Sequence, residues 1–231
     1  MAAKLIVEGL WQIGLGAVNA FIIDSGELTL IDSGSPDSAG KIVQAVESLG
    51  RKPTDIRHII GTHCHPDHAG SLAAIKRITG APVYMHATDA VLVRKGEGKR
   101  SMTAAPGPVR ALLYTLFVDR SSGKLEPCAI DHEITGDTEL PIAGGLRAIH
   151  APGHCAGQLV LFWPIRRVLF VADAASNMLS LGLSIAYENL PEGLRSLAKI
   201  AALDFDIACF GHGKVITRQA SLKFRHKWSV S

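Results

Sequence analysis

The sequence contains few cysteines, almost no excess of charge and no long apolar run, and each shortage excludes a class of protein. Four cysteines occur in 231 residues with no CxxC pair among them, so a disulfide framework is not expected. The formal net charge is only +3 and the basic residues are mostly scattered, so we expect no nucleic-acid partner. No apolar stretch approaches the roughly 18 residues of a membrane span, and the first residues lack a signal-peptide pattern. We therefore expect a cytoplasmic protein without a membrane partner.

What the sequence does contain is enough apolar material for one large core. Hydrophobic residues make up 47% of the chain and charged residues 19%, a balance typical of globular domains. We expect one domain over residues 1–231. Glycines and prolines interrupt a basic stretch within residues 96–123, which we interpret as an insertion that forms a flap over a site. A homodimer is compatible with the apolar composition.

Apolar runs and helical stripes alternate along the chain. The pattern predicts a hairpin, then helices and buried strands in alternation, and then a second strand-rich half that mirrors the first. This order predicts an α/β (α+β) structure in which helices cover a sheet. The predicted strands are 20–24, 28–32, 56–60, 83–86, 146–150, 159–163, 168–172 and 207–210, and the predicted helices are 38–49, 69–78, 109–118 and 191–203.

Histidines and an aspartate crowd one short loop. The segment GTHCHPDH begins at Gly61, directly after a predicted buried strand. In an extended loop His63 and His65 project to the same side and can bind one ion, while Asp67 and His68 can face a second ion. Imidazole and carboxylate groups bind zinc well and also suit iron or manganese. The alternative is a polar loop whose histidines only form hydrogen bonds, and three histidines and one aspartate in six residues disfavour it.

Three more metal-capable side chains follow later predicted strands. They are His154, Asp173 and His212, each in a polar segment just after an apolar run. Any one of them alone could be an isolated turn residue, but their joint occurrence with the histidine loop favours a metal centre. Cys64 and Cys155 adjoin candidate ligands, yet neighbouring side chains in an extended segment point opposite ways, so we interpret these cysteines as structural or supporting residues.

Together these motifs resemble those of the metallo-β-lactamase-fold hydrolase superfamily. The similarity includes His63-x-His65-x-Asp67-His68, the three later side chains and an Asp32-Ser33-Gly34 motif, and it spans essentially the whole chain. It implies a four-layer αββα sandwich with the site at one edge of two facing sheets. It also implies how two metal ions share the side chains: His63, His65 and His154 hold the first ion, Asp67, His68 and His212 hold the second, and Asp173 bridges them.

The resemblance further implies two divalent ions per chain, with zinc as the expected metal and iron or manganese as alternatives. Two such ions can share a water, lower its pKa and polarise the group under attack. The expected reaction is hydrolysis of a small ester, thioester or lactone by a hydroxide that bridges the metals, with Asp67 as the catalytic proton acceptor. Asp32 is expected to hold an imidazole ring in one tautomer.

Other activities are compatible with the same motifs. A bridging aspartate, as at Asp173, is typical of the lactonase branch and of glyoxalase II-like thioesterases, but the lactonases have a tyrosine three residues beyond it and this chain has Ser176. β-Lactamase or phosphodiesterase activity at the same site is one alternative. A mononuclear iron persulfide (sulfur) dioxygenase, which is an oxidoreductase, is another. A non-catalytic metal-binding protein is the last.

Overall fold

Two β-sheets form the centre of the protein. The computed structural model describes residues 3–229. The strands in chain order are β1 (Lys4–Val7), β2 (Leu10–Gly14), β3 (Asn19–Asp24), β4 (Leu28–Ile31), β5 (Ile56–Ile60), β6 (Val83–His86), β7 (Thr103–Ala104), β8 (His132–Ile134), β9 (Thr138–Leu140), β10 (Leu146–His150), β11 (Leu159–Trp163), β12 (Val168–Ala172), β13 (Ala186–Tyr187) and β14 (Ile207–Phe210). The first sheet has the order β1-β2-β3-β4-β5-β6-β8 and the second the order β14-β12-β11-β10-β9, while β13 and β7 form a separate short ladder.

Helices connect the strands. The α-helices of the described residues are α1 (Ala39–Ser48), α2 (Pro66–Ala69), α3 (Leu72–Thr79), α4 (Ala87–Lys95), α5 (Pro108–Leu113), α6 (Leu190–Ala201) and α7 (Ala220–Trp228). Short 3₁₀ turns occur at Pro53–Asp55 and Pro164–Arg166, and a π-helical turn at Tyr114–Val118. Within residues 3–229 no helix combines the length and the apolar character that crossing a membrane requires.

Three apolar clusters show how the layers stack. The middle cluster joins side chains of both sheets, and the rings of Phe21 from β3 and Phe170 from β12 meet there at 5.5 Å. A second cluster packs the outer face of the first sheet against α1, α3 and α4. A third packs the outer face of the second sheet against α6 and α7. The order is therefore helix, sheet, sheet, helix, and the predicted αββα sandwich is confirmed.

The strands that carry the candidate ligands end at one edge of this sandwich. β5 is parallel to its neighbours β4 and β6, and it leads directly into the segment GTHCHPDH. In the second sheet β12 and β14 are parallel neighbours, so Asp173 and His212 follow adjacent strand ends. The amide of Leu159 donates a hydrogen bond of 2.8 Å to the carbonyl oxygen of Thr62, which joins the two sheets at this edge.

Two predicted helices are each divided in the structure. The predicted helix 69–78 is replaced by α2 and α3, which are separated at Gly70. The Gly70 amide donates to the Gly34 oxygen at 2.9 Å, and a Cβ atom on Gly70 would lie 2.4 Å from the Pro36 nitrogen, so the chain packs closely against a neighbouring loop there. The predicted helix 109–118 is likewise divided into α5 and the π-helical turn.

Residues 96–123 leave the main sheets and form the insertion that the sequence predicts as a flap. Its strand β7 pairs with β13. Arg110 Nε donates to the carbonyl oxygen of Leu183 at 3.3 Å, and Lys99 Nζ donates to that of Val118 at 2.6 Å. The insertion is thus bonded to the segment that precedes α6, and its movement as a flap stays a prediction.

Candidate metal centre

The three histidines predicted to hold the first ion lie together. His63 and His65 come from the loop after β5, and His154 comes from the loop after β10. Their ligand atoms lie within 4.8 Å of one another, and His65 Nδ1 and His154 Nε2 are 3.0 Å apart. All three side chains are buried. We call this set the first histidine group.

Asp67, His68 and His212 form a second group. Their ligand atoms also lie within 4.8 Å of one another, and His212 Nε2 is 3.2 Å from Asp67 Oδ2 and 3.4 Å from His68 Nε2. The Asp67 side chain is 43% exposed, whereas that of His68 is fully buried. The second group therefore opens to solvent through Asp67.

Asp173 lies between the two groups. Its Oδ2 is 3.6 Å from His154 Nε2 and 3.2 Å from His212 Nε2, and its Oδ1 is 3.4 Å from His68 Nε2. The preceding residue, Ala172, ends β12 with a φ of 47°, so the chain turns sharply just before the carboxylate. The structure thus brings all seven predicted ligands into one cluster, with a carboxylate at its centre.

Backbone carbonyl groups fix the orientation of two histidine rings. His154 Nδ1 lies 2.8 Å from the carbonyl oxygen of Ala186, and His212 Nδ1 lies 2.8 Å from that of Ala17. Because a carbonyl oxygen can only accept, Nδ1 donates in both rings, and Nε2 is the nitrogen that each ring presents to the cluster. Sequence reasoning missed these two partners, and no side-chain signal could have indicated them.

Asp32 orients the histidines of the loop. Its Oδ1 accepts from the Thr62 amide at 2.8 Å, and its Oδ2 accepts from the Thr62 hydroxyl at 2.9 Å and from His68 Nδ1 at 3.0 Å. Since the Thr62 hydroxyl proton is used in this way, the Thr62 oxygen accepts from His63 Nδ1 at 3.0 Å. The predicted role of Asp32 in holding an imidazole is observed at His68, and it reaches His63 through Thr62.

Burial and neighbouring charges divide the histidines into two electrostatic classes. Burial lowers the pKa of His65 to about 3 and lowers the pKa of His63 well below its usual value. Burial also acts to lower the pKa of His68, but the carboxylates of Asp173 and Asp67 outweigh it and raise that pKa to about 10. His63 and His65 are therefore neutral donors, while His68 holds a proton that a bound cation would replace.

The donor atoms fit the divalent ions that the resemblance implies. His63 Nε2 is buried and has no hydrogen-bond partner among residues 3–229. Because Nδ1 of the same ring donates to Thr62, Nε2 presents a lone pair into the cluster, and a buried polar atom without a partner is costly. Imidazole nitrogens and carboxylate oxygens in this arrangement suit zinc, iron or manganese.

A further polar cluster lies beside the first histidine group. The sequence singled out two of its members, Cys64 and Cys155, as structural or supporting residues but not the third, Asp89. Asp89, in the first turn of α4, places a carboxylate oxygen within 4.8 Å of the sulfur atoms of Cys64 and Cys155. The two sulfur atoms are 3.6 Å apart, and that of Cys155 is 3.9 Å from His65 Nε2. The sequence signal for Asp89 itself is an acidic residue shortly after a strand that ends in His86.

Sequence and structure comparisons identify relatives of this chain, some of them named as hydrolases. The chain is 30% identical over 146 residues to the probable metallo-hydrolase YflN of Bacillus subtilis (strain 168), covering 63% of this chain and 54% of that protein. It is 28% identical over 195 residues to a hydroxyacylglutathione hydrolase of Albidiferax ferrireducens, covering 82% of this chain and 59% of that protein. MEM-A1, a subclass B3 metallo-beta-lactamase isolated from a soil metagenome library, has the same fold, with a TM-score of 0.72, 21% identity and coverage of 99% of this chain and 92% of that one.

The names of these relatives and the cluster of metal-capable side chains support a metal-dependent hydrolase. A family model also matches most of the sequence. The model describes the metallo-beta-lactamase superfamily and covers residues 13–212, a range that includes all seven candidate ligands. The chain therefore belongs to the metallo-beta-lactamase superfamily.

Proposed function

We propose that the protein uses two divalent metal ions to hydrolyse a small ester, thioester or lactone. The observation that carries this proposal is the division of seven nitrogen and oxygen donors into two groups that meet at Asp173. A carboxylate in that position can bridge two cations. With Asp67 it offsets part of their positive charge, while neutral imidazoles preserve their Lewis acidity.

The donor types favour zinc. The two groups and Asp173 contain five imidazoles and two carboxylates and no thiol, a set that also suits manganese or iron. The nearest thiol, Cys155, lies 3.9 Å from His65 Nε2, whereas the nitrogen of His65 that faces His154 is Nδ1. The sulfur therefore lies near the ring nitrogen of His65 that does not face His154.

Asp67 is the side chain best placed to handle the proton of the attacking water. Divalent ions held by these residues would lower the pKa of a bound water and polarise the carbonyl under attack. Asp67 Oδ2 faces His212 Nε2 at 3.2 Å and His68 Nε2 at 3.8 Å, which leaves Oδ1 to orient the water and accept its proton. Although burial acts to raise it, His68 and His212 hold the pKa of Asp67 below its usual value, so the carboxylate is ionised at neutral pH.

Two observations support the choice of substrate class. The relative named hydroxyacylglutathione hydrolase, whose name denotes hydrolysis of an acylated glutathione, matches 82% of this chain over 59% of its own length. The Asn177 amide donates to the His212 carbonyl oxygen at 3.1 Å, and the next two residues, Met178 and Leu179, are exposed apolar side chains. Exposed apolar side chains on a segment that is hydrogen-bonded to the His212 backbone suit contact with an acyl group. Likeness to a β-lactamase at 21% identity indicates the fold alone and gives no comparable support to β-lactam hydrolysis.

The test combines elemental analysis of protein purified without added metal with hydrolysis assays on thioesters, lactones, phosphodiesters and a β-lactam. We expect about two zinc ions per chain and hydrolysis of a thioester or lactone that a chelator abolishes and zinc restores. One iron per chain, oxygen uptake with a persulfide substrate and no hydrolysis would replace the proposal with the dioxygenase alternative. Protein that binds no metal would overturn it altogether.

A variant pair separates catalysis from folding. Asp67→Asn is expected to lower kcat by about 10²- to 10⁴-fold while the circular dichroism spectrum stays unchanged. Asp206→Asn is the matched control, because it changes an exposed carboxylate that pairs with Arg167 on the surface. Wild-type turnover in Asp67→Asn would contradict the role assigned to Asp67.

A further inference from the structure

Asp89 is a fully buried carboxylate that collects hydrogen bonds from three separate parts of the chain. Its Oδ2 accepts from the Cys64 amide at 2.9 Å and from the Cys155 thiol at 3.2 Å. Its Oδ1 accepts from the Gly157 amide at 3.1 Å and from Arg100 Nη1 at 2.7 Å. No water is needed to satisfy either oxygen.

The donors of these hydrogen bonds flank the first histidine group. Cys64 lies between His63 and His65 in the sequence, so its amide is part of the backbone that spaces the two rings. Gly157 lies three residues after His154, within a turn in which the Gln158 amide donates to the Cys155 carbonyl oxygen at 3.1 Å. The Asp89 carboxylate therefore holds together the two loops that supply all three nitrogens of this group.

The close approach at Gly157 is specific to this arrangement. A Cβ atom at residue 157 would lie 2.4 Å from Asp89 Cγ and 2.5 Å from Asp89 Oδ1, so only glycine allows the carboxylate to reach the amide. Neither loop could be drawn away from Asp89 without giving up a buried backbone hydrogen bond, which is costly.

Arg100, from the insertion, balances the buried charge. Its guanidinium donates to the Thr88 carbonyl oxygen at 2.7 Å and to Glu188 Oε1 at 3.3 Å in addition to Asp89. Glu188 Oε2 in turn accepts from the Ala156 amide at 2.9 Å. Burial acts to raise the pKa of Asp89, but the Arg100 charge and the hydrogen bonds outweigh it and lower that pKa.

This cluster could be mistaken for a third metal site, because Asp89, Cys64 and Cys155 have donor atoms within 4.8 Å of one another. Arg100 Nη1 already lies 2.7 Å from Asp89 Oδ1 and 3.6 Å from the Cys155 sulfur. A guanidinium thus supplies the positive charge that a metal ion would bring. The cluster is therefore not an ion site. We call Asp89 and Arg100, with the hydrogen bonds of Asp89 to the Cys64 and Gly157 amides, the clamp.

Among residues 3–229, no hydrogen bond, ion pair or ring contact joins the second group to Asp89 or Arg100. His68 is oriented by Asp32 and His212 by the carbonyl oxygen of Ala17. Removing the clamp should therefore affect the two metal ions unequally, a signature that general destabilisation would not produce.

We propose that Asp89, held in place by Arg100, is a positioning residue that sets the geometry of His63, His65 and His154 for their metal ion. The proposal rests on the proposed function, because it assumes that these histidines bind a metal. It extends that function to a pair of residues outside the ligand set, one of which belongs to the insertion.

The experiment compares Asp89→Asn, Arg100→Gln and Arg100→Lys with the wild type. The matched control is Asp131→Asn, because Asp131 Oδ2 also accepts from a backbone amide, that of Val83 at 2.7 Å, and from a cation, Lys76 at 2.7 Å. Stepwise affinities for Co²⁺ are measured by chelator competition and by visible absorption. His154→Ala and His212→Ala serve as references that identify which step belongs to which group.

We expect Asp89→Asn to weaken the first site about 10- to 100-fold and the second site less than about threefold. Arg100→Gln should act in the same direction, and Arg100→Lys should recover part of the loss because it restores the charge. In metal-free protein, amide hydrogen exchange at Cys64 and Gly157 should become faster in Asp89→Asn and stay unchanged in Asp131→Asn. If Asp89→Asn fails to fold, the two Arg100 variants and the same exchange measurement decide the question.

Equal weakening of both sites, or unchanged affinity with unchanged exchange at the two amides, would overturn the clamp. A third bound ion that disappears in Asp89→Asn would also overturn it, in favour of a separate metal site. If the wild type bound no Co²⁺ at all, the proposed function would fail and this inference with it. Normal metal binding by the wild type together with an unaffected Asp89→Asn would refute the clamp alone.

Discussion

Replacement of Gly211 by alanine would put a methyl group between two candidate ligands. Gly211 directly follows β14 and precedes His212. A Cβ atom built there would lie 2.2 Å from Asp173 Oδ1 and 2.5 Å from His68 Cε1, whereas ordinary contacts begin at 3.4 Å. Gly211 is not among the residues with positive φ, so the effect would come from this collision and not from backbone strain.

The size of the effect follows from these distances. The Asp173 oxygen would have to retreat by 1.2 Å to move from 2.2 to 3.4 Å. Because metal–ligand distances tolerate only about 0.2 Å, such a retreat would remove Asp173 from coordination. Disturbance of groups that merely orient ligands costs about 10- to 100-fold in affinity, so we expect a loss of more than about 100-fold here. Overpacking should also lower the unfolding free energy of the metal-free protein by about 1–3 kcal/mol.

Chelator competition with zinc measures the affinity, and denaturant unfolding of the metal-free protein measures the stability. Gly136→Ala is the matched control, because nothing lies within 4 Å of a Cβ atom at that position. Gly211→Ala protein that bound two ions with wild-type affinity would refute the assignment of Asp173 and His68 as ligands.

Three further outcomes are expected. In the metal-free protein the pKa of His68 is about 10 against an ordinary 6.5, so its contribution to stability is complete below pH 6.5 and is lost as the pH rises through about 10. Denaturant unfolding over that pH range should show a decrease in unfolding free energy that is smaller in His68→Gln than in the wild type. An equal decrease in both proteins would contradict this expectation. Asp32→Asn should weaken the second site about 10- to 100-fold in chelator competition, and an unchanged affinity would argue against its role at His68. Tyr187→Phe removes the hydroxyl that accepts from the Ser184 amide and donates to the Ala174 carbonyl oxygen. It should lower the unfolding free energy by about 1–3 kcal/mol with metal content unchanged. An unchanged unfolding free energy would contradict this expectation.

The sequence predicted the buried strands better than the periphery of the fold. β5 matches its predicted bounds, Ile56–Ile60, because a short apolar run before a polar loop is a local signal. β1 was not predicted, since its apolar run is only three residues long, and at the edge of the first sheet its residues are exposed or half-buried. α7 was missed because only Ala220, Ser221 and Phe224 are buried in a largely basic segment. Packing of α7 against α6 stabilises this segment as a helix.

The candidate ligands could be read from the sequence because residue type and spacing suffice to suggest them. The groups that orient these ligands could not. Ala17 and Ala186 act through their carbonyl oxygens, which every residue has, and only tertiary proximity selects them. Asp89 likewise becomes informative only when the structure places it against the amides of Cys64 and Gly157.

The candidate centre lies on the seam between the two sheets, since His63 follows a strand of the first sheet while Asp173 and His212 follow strands of the second. Bound ions would therefore act as removable cross-links between the two halves of the chain. Because an ion that binds only the folded state stabilises it by an amount that grows with the logarithm of the ion concentration, the free energy of unfolding would depend on metal supply.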